Sequence, residues 1–215
     1  IQTRLTPNVK IDPYRHKERY LRWKEKTQLQ IPEISKENSD LIKEYLRDME
    51  TGVNIARGVK KGSRSYIRLN TLRQRMIFLS KEFKAKFELI LITEINETQL
   101  YGFFQDLRSG VIARQDGKPF KSAKDFAKDF RAFWHWHQKR NKKRGIDLPD
   151  ISADLDVTGE KPEWVYLTEN EIKRLAESAK YDYKVLIWFL FDSGIRAPTE
   201  LMNIKVSDFF NDFKE

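Results

Sequence analysis

The sequence has 215 residues, 41 Lys+Arg against 32 Asp+Glu, a formal charge of +9 and no cysteine. Disulfides, thiolate metal sites and a cysteine nucleophile are excluded. The longest apolar run, Val185 to Phe191, falls far short of the roughly 20 residues of a membrane helix. With 40% hydrophobic residues, including 14 Phe, 8 Tyr and 5 Trp, a sizeable core is expected rather than a disordered chain. No charged-then-apolar leader follows Ile1, so no secretory signal is expected, and the lack of an initiating Met suggests an excerpt of a longer chain.

The charge is unevenly placed. Residues 1–148 carry +15 and residues 149–215 carry −6. Such asymmetry predicts two units with different tasks, and the basic one favours a polyanion partner, most often nucleic acid.

In chain order, residues 1–32 read as a basic arm with a helix from Pro13 to about Gln28 and a break at Pro32. A helix is predicted from Lys36 to Glu50, capped by Ser35, with Leu41, Ile42, Tyr45, Leu46 and Met49 inward and Gly52 as its stop. A glycine-bearing basic loop (Arg57 to Gly62) follows. The next helix spans about Arg64 to Phe87, with Tyr66, Leu69, Leu72, Met76, Leu79, Phe83 and Phe87 at helical spacing. Asn96 and Gln99 form a capping box, with Ile95 stapled to Leu100, for a helix that buries Leu100, Phe103, Phe104 and Leu107 and ends at Gly110. A further helix is expected from about Phe120 to Lys143, closed by Gly145 and Pro149. Four amphipathic helices with short loops predict a bundle over 33–144. Residues 145–163, poor in periodicity, read as a linker.

The second unit, 164–215, opens with a Thr168–Glu171 capping box, Leu167 stapling to Ile172. Ile172, Leu175, Ala176 and Ala179 form the expected buried face. Residues 184–192 are apolar on nearly all sides, as in a central helix, and Ser193-Gly194 stops them. Ala197-Pro198 reads as the start of another helix, and Val206 to Phe210 as an extended segment.

On the helix over 120–143, Ala123, Phe126, Ala127, Phe130, Phe133, Trp134 and His137 fall within an arc of about 120°. Lys121, Lys124, Lys128, Arg131, His135, Lys139 and Lys142 fall within about 80°, centred roughly 140° away. Solvated faces ordinarily mix signs, since like charges one turn apart repel; this stripe holds no carboxylate. It is therefore read as a contact for double-stranded DNA. A weaker stripe, Arg64, Arg68, Arg75 and Lys86 with Glu82 opposing, lies on the helix before it, and arginine can grip phosphate or guanine bidentately. Most such contacts are expected to reach phosphates.

His135-Trp136-His137 is not read as a metal site, because residues two apart on a helix diverge by about 200°. Most of the five tryptophans are assigned to the core, with Trp136 left open between packing on a neighbouring element and stacking on a base.

Gly194-Ile195-Arg196-Ala197-Pro198-Thr199-Glu200-Leu201 places an arginine in a tight turn before a presumed helix start. That position suits an anion; the alternative is a structural pair between Arg196 and Glu200. Here the chain resembles the tyrosine recombinase, or phage integrase, family. The resemblance rests on the basic helical bundle, the Leu-Thr-x-x-Glu-Ile start at Leu167 to Ile172, the hydrophobic helix ending in Ser193-Gly194-Ile195-Arg196, and the following Glu200-Leu201 and Ser207-Asp208. It covers roughly residues 33–210.

The resemblance implies a mainly α fold: a four-helix, SAM-like core-binding bundle, then the mostly helical start of an α/β catalytic domain. It implies site-specific breakage and rejoining of DNA through a covalent 3′-phosphotyrosyl link, without metal or cofactor. Arg196 becomes the first catalytic arginine on the scissile phosphate and Glu200 its support. Three residues separate them here, where the family usually has two. The lysine hairpin, His-x-x-Arg segment and nucleophilic tyrosine of the family do not follow Arg196, and no tyrosine follows Tyr183. The chain alone is thus expected to bind DNA without cleaving it, as part of a recombinase or as a non-catalytic regulator of recombination sites. Other implied properties are a homo-tetramer on two duplexes in the full-length protein, no membrane partner, and a cytoplasmic, nucleoid-associated location. A helical interaction or RNA-binding module remains the third reading.

Overall fold

The computed structural model describes residues 10–53, 62–158, 165–205 and 208. Among them are seven α-helices, one short 3₁₀ turn and no strand, so the fold is mainly α. The chain divides into two units, His16–Glu160 and Ile1–Arg15 with Lys161–Glu215.

The larger unit holds α1 (His16–Lys26), α2 (Lys36–Thr51), α3 (Tyr66–Phe87), α4 (Glu97–Ser109) and α5 (Ala123–Lys142). Their ends follow local chemistry. The Ser35 hydroxyl accepts from the Asn38 amide at the start of α2, and Gly52, at φ 81°, closes it in the left-handed region that glycine tolerates. Ser65 caps α3. The Asn96–Gln99 capping box is complete, with reciprocal bonds of 2.9 and 3.1 Å at the start of α4. The helix expected from Phe120 starts instead at Ala123, because Lys118 to Ser122 complete a turn whose Ala113 and Pro119 form an isolated bridge. The loop expected over Arg57 to Gly62 lies, except for Gly62, outside the described residues.

The predicted apolar faces meet in one aromatic core. Phe83, Phe103, Phe130 and Phe133 are fully enclosed, as are Tyr45 of α2 and Trp136 of α5. Phe83 meets Phe103 edge-on at 4.9 Å between ring centroids, and Tyr45 meets Phe133 edge-on at 5.3 Å, the arrangement aromatic quadrupoles favour. Trp136 donates its indole N–H to Asp48 at 2.9 Å, which settles its open assignment in favour of packing. Trp164 lies outside the described residues. The basic arm does not stand apart: α1 packs on α3, with Tyr20 and Ile31 each 1% exposed.

Residues 146–158 are not a free linker. Trp134 donates to the Pro149 carbonyl at 3.0 Å, Gln138 to that of Leu148 at 3.0 Å, and Arg131 to those of Ser152 and Ala153 at 3.0 Å each and to that of Leu155. Leu155 and Ser152 are buried. A segment without periodicity still folds down when side chains of a neighbouring helix satisfy its carbonyls.

The smaller unit holds α6 (Glu169–Ser178), α7 (Tyr181–Ser193) and a 3₁₀ turn, Leu201–Asn203. The Thr168–Glu171 capping box forms as expected. Only Ile172 and Ala176 of α6 are buried; Leu175, placed inward by periodicity, is 49% exposed. No residue of α7 is buried, against the expectation of a central helix, because α6 is the one described helix that packs on it. The helix expected from Ala197-Pro198 is a turn leading into the 3₁₀ turn. Asn203 holds the segment at Ile11 through two bonds, 2.7 and 3.0 Å. Of Val206 to Phe210, only Asp208 is described.

Candidate nucleic-acid interface

The two basic stripes meet different fates. On α3, the arginines turn inward toward α5. Asp129, with a side chain 1% exposed, sits between them. It accepts from Arg68 through both oxygens, one bond measuring 3.2 Å, and from Arg75. Arg75 also donates to the Asp125 carbonyl at 3.2 Å and stacks over Phe126. Lys86 is paired with Asp106. Arg64 is half-buried beside α2, its amide bonded to the Met49 carbonyl at 2.9 Å. The reading of Arg68 and Arg75 as DNA contacts is therefore corrected: they neutralise a buried carboxylate between two helices. Burial of that carboxylate without partners would cost several kcal/mol.

On α5 the stripe splits. Arg131 is committed to the 152–155 carbonyls and His135 to Asp150, at 2.9 Å. Burial opposes the charge on Asp150, but bonds from Ser152 and His135 outweigh it and hold the carboxyl below its usual range. These two members of the stripe fasten the 146–158 segment. Farther along that segment, Thr158 and Arg108 hold Asp156 down to about 2.

The remaining members stay outward. Lys121, Lys128, Lys139 and Lys142 are exposed and Lys124 is half-exposed. Among the described residues, no ion pair engages Lys121, Lys124, Lys128 or Lys142. Lys143 and Arg144, exposed at the same end of α5 as Lys142, extend the row and were missed by the stripe projection because they lie past the helix end. Arg140, on the other flank, is paired with Glu44 of α2. The outward row is two clusters, Lys121–Lys124–Lys128 and Lys139–Lys142–Arg144, separated by the fastened Arg131 and His135.

His137 is turned the other way, stacked on Phe133 with centroids 6.2 Å apart. Burial first, then the charges of Arg140 and Arg144, lower its pKa to about 4. The two histidines of His135-Trp136-His137 thus serve separate partners. Among the described residues no group of three or more His, Cys, Asp or Glu could hold a metal ion, and no helix is long and apolar enough to cross a membrane.

In the smaller unit, Gly194 closes α7 at φ 62°. Arg196 follows, exposed. Glu200 does accept from Arg196, but from its backbone amide, at 3.0 Å; the Glu200 and Leu201 amides return bonds to the Arg196 carbonyl at 3.1 and 3.3 Å. Neither the expected helix N-terminus beside Arg196 nor a Glu200–guanidinium pair is present. Glu200 fixes the backbone of the turn, and the guanidinium extends from it.

No family model matches the chain, and neither a curated protein nor a solved structure matches it.

Proposed function

We propose that this chain binds double-stranded DNA through the lysine clusters of α5, as the DNA-binding portion of a site-specific tyrosine recombinase or integrase. The observation that supports it most is the contrast within one bundle. The arginines of α3 are matched by Asp125 and Asp129, while Lys121, Lys124, Lys128 and Lys142 are left without carboxylate partners among the described residues. Unmatched like charges aligned on one helix repel one another, and a polyphosphate relieves that cost with release of its counterions.

In this reading His16–Glu160 is the core-binding bundle, of the SAM-like type, and Glu169 to Glu200 opens an α/β catalytic domain. The Ser193-Gly194-Ile195-Arg196 turn presents an exposed guanidinium on a backbone held by Glu200, suited to a bidentate grip on a phosphate. The full protein would assemble as a tetramer on two duplexes and work at the nucleoid. Of the family's catalytic set, this sequence carries the first arginine, so the test is binding rather than cleavage. Duplex affinity measured against salt should fall steeply, log K dropping by about 0.9 for each phosphate neutralised. A flat salt response, or equal affinity for an uncharged polymer, would overturn the proposal.

A further inference from the structure

Arg73 breaks the rule its neighbours on α3 obey. It is 9% exposed, and its Nε is enclosed with no hydrogen-bond partner. No carboxylate or carbonyl among the described residues takes a bond from its guanidinium. Its close companion is the Trp23 ring, 4.9 Å from Cζ to centroid. Arg19, one turn before Trp23 on α1, is a second cation nearby. Burial, and then the charge of Arg19, push Arg73 below the ordinary arginine range. Buried charges are ordinarily paired; here two guanidinium groups approach with no acid between them.

Arg73 opens on a cleft of about 780 Å³ bordered by α3 and the turn around Arg114, within the size range of small-molecule sites. Its other cations are already matched: Lys81 with Glu33 at 2.8 Å and Arg114 with Asp116 at 3.5 Å. The remaining carboxylate, Glu82, lies nine residues along the helix, about 13.5 Å up its axis. Phe78 and Phe120, 5.2 Å apart, form an aromatic wall about one and a half turns from Arg73.

We propose that this cleft binds a nucleotide, its phosphate held by Arg73 and Arg19 and its base lying on Phe78 and Phe120. Guanidinium groups take phosphate through paired, charge-assisted bonds, and aromatic faces accept any base by stacking. The site lies on a different face of α3 from Arg68 and Arg75, about 150° around the helix, so it stands independently of the α5 lysines.

The test is calorimetric titration of the full chain with AMP, adenosine, inorganic phosphate and a 5′-phosphorylated oligonucleotide. AMP should bind at least about tenfold more tightly than adenosine, about 1.4 kcal/mol. The oligonucleotide arm distinguishes a free nucleotide from a strand end as the source of the phosphate. Arg73→Met should lose most of the affinity. Should that variant unfold, Arg19→Gln, at an exposed position, should still weaken AMP severalfold with an unchanged melting temperature. Reversing Lys124 and Lys128 should leave AMP binding intact, so this site and the DNA reading fail separately. Adenosine binding as well as AMP, no heat with AMP, or unchanged AMP affinity in Arg19→Gln would overturn the proposal.

Discussion

Asp129 of α5 accepts a 3.2 Å hydrogen bond from Arg68 of α3 and, with Arg75 on its other side, ties the two longest helices of the bundle together. Its side chain is 1% exposed. Removing one member of a buried pair leaves an uncompensated charge, which costs more than the pair itself contributes. Asp129→Ala strands two guanidinium groups and should destabilise the fold by about 3–5 kcal/mol in urea denaturation. Arg68→Ala should cost less, since Arg75 remains on the carboxylate. A loss under about 1 kcal/mol for Asp129→Ala would show that solvent reaches the site freely.

The same pairing decides which charge reversals affect DNA. Lys124→Glu with Lys128→Glu should lower duplex affinity more than tenfold and flatten the salt slope by about 0.9 per lost contact, with no change in melting temperature. Arg68→Glu should lower the melting temperature instead. Electrophoretic mobility shifts at several salt concentrations, beside thermal melts, separate the two; equal effects on binding per unit charge would mean that the α3 row also reaches the duplex.

Arg131 offers a third test. Its guanidinium satisfies the Ser152, Ala153 and Leu155 carbonyls, and bonds to charged groups contribute about 1.5–3 kcal/mol. Arg131→Met should raise amide exchange across residues 150–158 while α2 and α4 keep their protection. Slow exchange there in the variant would assign the hold to Trp134 and Gln138 alone.

His137 sets a pH dependence. Its folded pKa, about 4, lies below the ordinary 6.5. Between those values the unfolded chain binds a proton that the folded chain refuses, so stability falls as pH drops from about 6.5 to about 4 and levels off below. Replacing His137 with Gln should flatten that part of the profile, measured by denaturant midpoints at stepped pH. A slope unchanged in the variant would place the titration elsewhere.

Local signals in the sequence carried the helices. Ser35, Asn96 and Thr168 cap where their residue types and the glutamine or glutamate three places on foretold, and Gly52, Gly110 and Gly194 close helices in the left-handed region. Caps and periodicity depend on residues within one turn, so one strand of text suffices for them. The inward faces of α2, α3, α4 and α5 were legible for the same reason. What a charged face meets is not local. The stripe on α3 looked like that on α5, yet Arg68 and Arg75 lie against Asp129, 61 and 54 residues away. The signal was a lone carboxylate at the edge of an apolar arc, and it acquires meaning only with the partner helix in place. Arg131, His135 and the 146–158 segment follow the same logic, as does α7, whose apolar sequence did not make it a buried helix. Residue order determined where the helices start, stop and turn apolar; the packing of one helix on another decided which charges were consumed in holding the bundle and which were left outward for a partner.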